Sequence, residues 1–383
     1  MITRNLVTMY HVVTASRKRG LLCLATMLCL MSCRESTNPA SGAMPALWRS
    51  PVVTPGQDWV DGTPAVDAGR VYIQEANTLA ALDASTGARL WTRRIRFAAA
   101  PPPTTLVADG GVLYVSETDS VMAVDGATGR TIWNVHPDSQ AVVVPALDAT
   151  GLYTGQRGLA VAYAFERATG ALRWKVNTVV GSAYPAYVSG LAAAGDVVYV
   201  AVEKSLDPNG VASKGVLVAL DRATGAELWR YETPGSKDFF LGAPIVVGTK
   251  IIVNDFYAGP LIAIDIRTHG ELWRADVVGT IRAAVIGSSV FAAGADTKAR
   301  AIDLETGQVK WTAETGSGSF GVGACGSSFF VSAFDLRRYD AATGAITGQT
   351  NRSAHGEFIS NVASDGTRAY AVSDRGVFAF ACP

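Results

Sequence analysis

The sequence predicts an all-β protein, an eight-bladed β-propeller of four-stranded antiparallel blades. A short motif ending in tryptophan recurs along the chain at a nearly constant interval. Each copy follows short apolar segments separated by turn residues, and the two ends of the chain carry complementary parts of one further copy. Self-similarity at a period of about 40 residues is typical of propellers and has to be interpreted before any single residue.

The motif is clearest in ALDASTGARLW, residues 81–91, where the acid, the threonine and the tryptophan stand at positions 0, +3 and +8. In the last copy Gly348 replaces the tryptophan. The repeated residues to which we assign structural roles are Asp83, Thr86, Gly87, Trp91, Asp125, Gly129, Trp133, Gly170, Trp174, Asp221, Gly225, Trp229, Asp265, Trp273, Asp303, Gly307, Trp311, Asp340 and Gly344.

Each residue type of the motif suits a tight turn followed by a packed strand. Glycine adopts the positive φ that a tight hairpin connection needs. The Asp and Thr side chains can bond the backbone of the same turn, and the Trp offers a large apolar face to the next blade. Because the acids are spread one per blade, we interpret them as turn residues and not as metal ligands. In the fifth copy His269 stands where glycine is expected, so we expect an altered turn there.

The segments before each motif complete a blade. A first apolar strand often begins at a proline, as at Pro64, Pro145 and Pro244, and a turn with Gly or Asp leads to a second strand. The third strand ends at the motif acid, and the fourth carries the tryptophan. Four strands of about five residues within about 42 residues match a propeller blade.

The chain termini supply the eighth blade. Trp48 resembles part of a fourth strand without the first three, whereas residues 361–381 contain three strands without a fourth. An N-terminal strand that completes the C-terminal blade would lock the ring. We therefore predict eight blades within residues 45–383, with seven as the alternative if Trp48 lies outside the ring.

Irregular spacing indicates where a partner surface lies. Trp174 and Trp229 are 55 residues apart, and the excess falls in 177–190 and 203–215, which we expect to be loops on one face together with 92–103. Loops on a rigid scaffold often carry binding residues. The candidate anchors are the aromatic residues Phe97, Tyr184, Tyr187, Phe239, Phe240, Phe256 and Tyr257, and a basic edge would come from Arg93, Arg94 and Arg96. Two alternatives are that these aromatic residues pack on the ring and that a partner adds a strand to a blade edge.

The N-terminus is predicted to be a lipoprotein signal peptide, residues 1–32. Arg17, Lys18 and Arg19 precede a short apolar run that is too short to span a bilayer. The run ends at Leu30-Met-Ser-Cys33, which resembles the bacterial lipobox. Cys33 is then the lipid-attachment residue, and 33–44 form a flexible tether. A buried N-terminal helix is the alternative.

The residue after Cys33 is Arg34 and not aspartate, which favours the outer membrane, facing the periplasm. The inner membrane and the cell surface are the alternatives. We expect membrane contact through the lipid alone and a monomeric propeller. The chain has 33 basic and 33 acidic residues and no basic stripe, which argues against nucleic acid as a partner.

Residues suited to catalysis are sparse. His136 and His355 fall in loops between blades, each without a second catalytic residue nearby in sequence, and no H-E-x-x-H, G-x-S-x-G or P-loop pattern occurs. We predict no catalytic residues, no metal site and no cofactor. Cys325 and Cys382 fall on the same face of neighbouring blades, in a compartment where disulfides persist. They form either a disulfide or two buried thiols.

The A-x-D-x-x-T-G-x-x-x-W repeat resembles the PQQ-like propeller family over about residues 45–381. Within it, a propeller of this size behind a lipobox is most similar to the BamB lipoproteins of outer-membrane β-barrel assembly. The resemblance implies a non-enzymatic scaffold that binds periplasmic domains of the barrel insertase. One alternative is a sensory propeller that binds a small ligand or polysaccharide. A PQQ-dependent dehydrogenase is less favoured, because those enzymes are longer and carry adjacent cysteines and a Ca²⁺ site.

Overall fold

The structure is a computed structural model. It describes residues 42–51, 62–75, 77–95, 106–117, 119–137, 143–156, 159–180, 182–209, 212–235, 237–238, 242–254, 260–277 and 283–383. The predicted signal peptide, Cys33 and most of the tether lie outside these residues. Within the described part of the chain, no helix has the length and apolar character needed to cross a membrane.

The strands form eight separate antiparallel sheets, numbered here as blades along the chain. Blade 4 also has a short fifth strand, which pairs in parallel with its third. The strands of blades 1 to 4 are β2 (Ala65–Asp67), β3 (Arg70–Glu75), β4 (Thr78–Asp83), β5 (Arg89–Arg94); β6 (Leu106–Asp109), β7 (Val112–Ser116), β8 (Val121–Asp125), β9 (Thr131–Val135); β10 (Ala146–Leu147), β11 (Gly151–Gly155), β12 (Val161–Glu166), β13 (Leu172–Asn177); β14 (Ala186–Ala194), β15 (Val197–Ser205), β16 (Ser213–Asp221), β17 (Glu227–Glu232) and β18 (Lys237–Asp238).

Blades 5 to 8 complete the ring. A single short helix, α1 (Arg352–His355), lies among the described residues between blades 7 and 8. The strands are β19 (Ile245–Val247), β20 (Lys250–Asn254), β21 (Leu261–Asp265), β22 (Glu271–Ala275); β23 (Ala283–Ile286), β24 (Ser289–Ala293), β25 (Lys298–Asp303), β26 (Val309–Glu314); β27 (Gly321–Cys325), β28 (Ser328–Ala333), β29 (Asp335–Asp340), β30 (Ile346–Gln349); β31 (Ala363–Ser364), β32 (Arg368–Ser373), β33 (Gly376–Ala381) and β1 (Ala46–Ser50).

The predicted eight-bladed ring is confirmed. Strand β1 pairs antiparallel with β33, with Trp48 opposite Ala379, so the N-terminal strand is the outermost strand of blade 8. Trp48 therefore lies inside the ring, and the seven-bladed alternative is wrong. The first strands of blades 8 and 1, β31 and β2, are in contact, which closes the ring.

The burial pattern of each strand follows from its place in a blade. Middle strands such as β3 and β8 are buried on both faces, because each blade is packed between two others. Outer strands such as β5 alternate between half-buried and exposed residues, since one face packs on a neighbour and the other meets solvent. The apolar clusters accordingly lie between adjacent blades, as where Val115 of blade 2 packs with Leu79 of blade 1.

The motif acid bonds the turn that follows it. Asp83 Oδ1 accepts hydrogen bonds from the N–H groups of Ser85 (3.0 Å) and Thr86 (2.9 Å). The N–H of Gly87, at φ 73°, donates to the Asp83 carbonyl at 2.8 Å. Thr86 Oγ1 accepts from the Ala88 N–H at 3.2 Å. The side chains thus bond backbone groups that the tight turn leaves unpaired.

The motif tryptophans pack on the turn of the following blade. A Cβ placed on Gly129 would lie only 2.9 Å from the Trp91 ring, and Trp91 Nε1 donates to the Gly126 carbonyl at 2.9 Å. This position therefore needs glycine for its positive φ and also for the close approach of the ring. The tryptophans that donate in this way are Trp48, Trp91, Trp133, Trp174, Trp273 and Trp311.

The expectation of an altered turn in the fifth copy is wrong. His269 adopts φ 61°, close to the glycines of the other copies, and its N–H donates to the Asp265 carbonyl at 2.9 Å as they do. What changes is the packing across the blade boundary. The Trp229 ring stacks on the His269 ring with centroids 4.5 Å apart, and within the described residues Trp229 makes no indole hydrogen bond like those above.

The boundary between blades 7 and 8 is built differently. Because β33 and β1 come from opposite ends of the chain, blade 8 has no motif turn, and Gly348 occupies the tryptophan position opposite Arg338. The buried side chain of Met44 fills the space beside Gly348. Gln349 accepts from the Met44 N–H (3.0 Å) and donates to the Gly42 carbonyl (3.3 Å). Residues 42–44, at the end of the range predicted as a tether, therefore pair with blade 7.

Cys382 occupies the position in blade 8 that, in the other blades, belongs to the residue after the motif acid. Its N–H donates to the Thr367 carbonyl at 3.1 Å, as the Ala84 N–H donates to the Gly69 carbonyl in blade 1. Cys382 is paired in a disulfide with Cys325 of β27, with Cα atoms 5.7 Å apart. The bond crosses the one boundary that has no motif tryptophan.

Candidate functional site on the loop face of blades 3 and 4

The antiparallel order of the strands gives the ring two different faces. The turn face carries the connections from strand 1 to 2 and from strand 3 to 4, including the motif turns. The loop face carries the connections from strand 2 to 3 and from each blade to the next. On the loop face, the described chain departs most from the repeat at blades 3 and 4.

Blade 4 extends beyond the other blades on the loop face. Its strands β14, β15 and β16 each have nine residues, compared with two to six for every other strand. The expectation that 177–190 and 203–215 are loops is therefore partly wrong, because these residues lengthen strands and the connections are only 178–185 and 206–212. The added residues pair in register, from Val202 opposite Val216 to Ser205 opposite Ser213.

The end of this extended hairpin is held by its own hydrogen bonds. The Leu206 N–H donates to the Ala212 carbonyl at 2.8 Å, and Asp207 accepts from the N–H groups of Asn209 and Ala212. An Asp that bonds the backbone two residues on is a common device in tight turns. The hairpin is thus a structured projection.

Exposed apolar side chains lie beside the projection and form what we call the loop-face patch: Leu159, Val180 and Tyr184. Their exposed fractions are 55%, 84% and 37%. Two hydrogen bonds, from the Thr178 N–H (2.7 Å) and Oγ1 (2.8 Å) to the Ala160 carbonyl, hold the Val180 segment against the Leu159 turn. Exposed apolar groups held on rigid backbone are typical of protein-binding surfaces.

Backbone pairing also joins Tyr184 to the extended hairpin. The Ser205 N–H, at the end of β15, donates to the Pro185 carbonyl at 3.0 Å, and the Ser182 hydroxyl donates to the Tyr184 carbonyl at 2.8 Å. Tyr184 is therefore held beside the extended hairpin of blade 4.

Charged and polar groups lie on the extended strands of blade 4. Lys204 Nζ lies 3.6 Å from Glu232 Oε1, and Tyr187 faces Glu203 across the strands. Burial, followed by the charge of Glu203, raises the pKa of Tyr187, so this residue stays a neutral hydroxyl at physiological pH. An apolar centre with a polar rim is the composition expected of a protein interface.

An ion network on the turn face braces the same blades. Arg222 bridges Asp148 (3.2 Å) and Asp196 (2.9 Å), while Arg167 pairs with Asp109 and donates to the Asp148 carbonyl at 2.9 Å. Burial raises the pKa of Asp148, but hydrogen bonds from Thr150, Tyr153, Gly151 and Arg222 outweigh it and bring the pKa to about 2. The charged network links blades 2, 3 and 4 on the face of the ring opposite the patch.

Four of the other candidate residues, Arg93, Arg94, His136 and His355, lie within the described ranges. Arg93 donates to the Gly129 carbonyl at 3.1 Å, and Arg94 is exposed on β5 of blade 1. His136 lies 3.9 Å from Asp119, and His355 packs on Phe378 and Phe380. Arg96, Phe97, Phe239, Phe240, Phe256 and Tyr257 lie outside the described residues.

The sequence analysis missed Leu159 and Val180. Isolated aliphatic residues carry no motif, and the only available signal was their nearness to the irregular spacing before Trp229. It also missed a second repeated aromatic residue, on the second strand, that packs with the Trp of the same blade. These pairs include Tyr72 with Trp91 and Tyr114 with Trp133, with ring centroids 6.1 and 6.0 Å apart.

No group of three or more His, Cys, Asp and Glu side chains in the described ranges could hold a metal ion. The motif acids are committed to their turns, as the pair of bonds from Thr224 to Asp221 illustrates (2.8 and 2.7 Å). The chain also has no adjacent cysteines of the kind that flank PQQ in the dehydrogenases.

Comparison with known proteins identifies relatives of the fold. BamB from Moraxella catarrhalis is 18% identical, with a TM-score of 0.64 over 84% of this chain and 93% of that one. The computationally designed protein Ika8 is 14% identical, with a TM-score of 0.72 over 88% and 99%. The quinohemoprotein alcohol dehydrogenase ADHIIG from Pseudomonas putida HK5 is 14% identical, with a TM-score of 0.66 over 87% and 72%. At these identities, each likeness concerns the fold alone.

A search of the curated proteins found no match. The family model described as "Outer membrane protein assembly factor BamB" matches residues 36–175 and 158–326, well over half of the chain. The match spans the repeated motif turns of blades 1 to 6 and the extended fourth blade. The chain therefore belongs to the BamB family of PQQ-like β-propellers.

Proposed function

We propose that this protein is a non-enzymatic scaffold, anchored by a lipid on Cys33 in the outer membrane and facing the periplasm, that binds a protein of β-barrel assembly. Membership of the BamB family supports the assembly role. The loop-face patch beside the extended fourth blade is the observation that carries the binding role. In this proposal Leu159, Val180 and Tyr184 are the apolar anchors, and the charged residues around them form the rim.

Three exposed apolar side chains are enough to anchor a protein contact. Binding energy at protein interfaces concentrates in a few central apolar or aromatic side chains that exclude water. Replacing such an anchor with a charge leaves that charge without a partner in the complex. A single Val180→Asp change is therefore expected to lower the recovery of the partner by about tenfold or more, the equivalent of about 1.4 kcal/mol.

The test is crosslinking of the full-length lipoprotein in intact cells, followed by identification of the captured proteins by mass spectrometry. The wild-type chain should capture a barrel-assembly component, and Val180→Asp and Tyr184→Asp should lose it. Leu272→Asp is the matched control, because Leu272 is also an exposed aliphatic residue but lies on the outer strand of blade 5. Capture of no assembly component, or equal loss in all three variants, would count against the proposal.

A further inference from the structure

The path of residues 42–44 determines where the chain leaves the propeller. Gly42 and Met44 bond Gln349 at the outer edge of blade 7, and Met44 is buried beside Gly348. The chain N-terminal to Gly42 therefore starts from the rim between blades 7 and 8. In an eight-membered ring, blade 4 lies directly across from blade 8, and blade 5 lies directly across from blade 1.

The covalent distance from this exit to Cys33 is short. Eight residues lie between Cys33 and Gly42, and the nine residue-to-residue steps of a fully extended chain span about 30 Å. Four strands about 4.8 Å apart make each blade about 14 Å deep, so two opposite blades span about 29 Å before the central channel is added. A lipid on Cys33 therefore cannot reach a membrane that lies against the rim of blade 4.

The charge on the rim differs between the two sides. The outer strands of blades 8 and 1 carry Arg49, Arg89, Arg93 and Arg94 and no acid, a charge of +4 that the ion pair of Arg89 with Glu75 reduces to +3. The outer strands of blades 4 and 5, directly opposite, carry Glu227, Glu232 and Glu271 against Arg230 and Arg274, a charge of −1 that the ion pair of Glu232 with Lys204 brings to 0.

Apolar groups accompany the arginines on the basic side. Leu47 on β1 and Leu90 on β5 are both exposed, one residue before the motif tryptophan, as Leu228 and Leu272 are on the opposite rim. The two rims therefore differ in charge and not in exposed leucines. Exposed leucines among arginines suit the surface of an anionic bilayer, which attracts basic residues and accepts short apolar side chains at its headgroup boundary.

We infer that the rim of blades 8 and 1 is the side that rests on the anionic membrane surface, and that the loop-face patch is thereby held on the far side of the ring. This inference rests on the lipid anchor proposed above. The exit of the chain brings this rim within reach of the bilayer, and its charge favours contact there. A partner bound at blades 3 and 4 then meets the protein away from the lipid headgroups.

The test compares two positions that are equivalent in the repeat. The full-length lipidated protein is placed on vesicles containing phosphatidylethanolamine and phosphatidylglycerol, with one fluorescent label on Leu47→Cys or on Leu228→Cys. Leu47 and Leu228 precede the tryptophans of opposite blades and are 54% and 51% exposed. Quenching by headgroup-labelled lipids should be severalfold stronger at Leu47. Equal quenching, or stronger quenching at Leu228, would overturn the orientation.

Two further variants separate the parts of the argument. Met44→Pro removes the N–H that donates to Gln349 and also removes the side chain that fills the space beside Gly348. Quenching at Leu47 should then fall towards that at Leu228. An undiminished difference between the two labels would contradict the role of residues 42–44. Cys33→Ser should leave the protein unbound in vesicle flotation. If wild type and Cys33→Ser float equally, the lipid anchor itself is wrong, whereas a floating wild type with equal quenching refutes only the orientation.

Discussion

Met44 occupies the space that Gly348 leaves between blades 7 and 8, with its Cβ 3.1 Å from where a Cβ on Gly348 would lie. The two departures from the repeat are therefore complementary. Blade 8 lacks the turn on which a tryptophan at 348 would pack, and the N-terminal segment supplies a different side chain. The ring is thus completed by β1 and also by Met44 just before it.

Truncation of Met44 should destabilise the closed ring. Met44→Ala removes a buried side chain that no neighbouring group replaces, and such changes cost about 2–5 kcal/mol. Gly348→Trp restores the motif but should also destabilise, by about 1–3 kcal/mol, because Met44 already fills the space. Denaturant unfolding midpoints measure both effects. Leu47→Ala, at an exposed neighbouring site, is the control and should shift the midpoint little; equal shifts in all three would contradict this account.

We expect a motif glycine to tolerate replacement only where the tryptophan of the preceding blade leaves room for a side chain. Gly307→His places a side chain where a Cβ would already lie 2.7 Å from the Trp273 ring, at φ 72°. A left-handed non-glycine residue alone costs about 1–3 kcal/mol, and the clash adds to it. His269→Gly relieves the same backbone cost but loses the stack on Trp229, which is worth about 0.5–1.5 kcal/mol, so its net effect should be small.

Thermal unfolding of these two variants provides the measurement. The midpoint of Gly307→His should fall well below that of wild type, while that of His269→Gly should stay close to it. A large loss in His269→Gly would mean that the histidine is required at the fifth turn, contrary to the geometry of its backbone.

Stability should decrease in acid because the motif carboxyls are ionised in their turns. Hydrogen bonds from Lys310 and from the Thr306 N–H lower the pKa of Asp303 to about 2, and bonds from Ser85 and Thr86 lower that of Asp83 to about 2. A carboxyl with a folded-state pKa below its unfolded value of about 3.9 stabilises the fold fully above that value and loses the contribution as the pH falls to about 2.

The melting temperature is therefore expected to fall from about pH 4 to about pH 2, in the window that these two carboxyls titrate. Asp303→Asn and Asp83→Asn should be less stable than wild type at pH 6 and should lose less stability on acidification. Identical slopes for the variants and wild type would show that these carboxyls do not carry the effect.

The pairing of Cys325 with Cys382 should contribute to closure of the ring. We predict that the mature protein has no free thiol at either position, which intact-mass measurement after alkylation without reductant would test. Loss of such a bond typically costs about 2–4 kcal/mol. Cys325→Ser and Cys382→Ser should lower stability by the same amount as the double variant. Two alkylated thiols in the untreated protein would refute the bond.

Much of the architecture could be predicted from the repeat alone. The spacing of the acid, threonine and tryptophan indicated blades, and the unmatched strand at Trp48 indicated how blade 8 is completed. These predictions are reliable because a turn residue and a period of strands are local properties, repeated several times. The candidate site was harder to predict, because Leu159 and Val180 belong to no motif and their segments are brought together by the pairing of Val161 with Asn177 and by the Thr178–Ala160 hydrogen bonds.

By itself, the sequence determined the kind of blade, the number of blades and the turn chemistry of each motif. The tertiary structure decided what each motif contacts: Trp91 packs on Gly129 of the next copy, Trp229 accommodates His269, and Met44 replaces an absent tryptophan. The physical reason is that backbone conformation at a turn depends on adjacent residues, whereas packing depends on the blade beside it. Residues 203–215 lengthen strands in blade 4 because Glu203 to Ser205 pair with Ser213 to Gly215, and the first strand of the blade pairs alongside them at Ala186 and Tyr187.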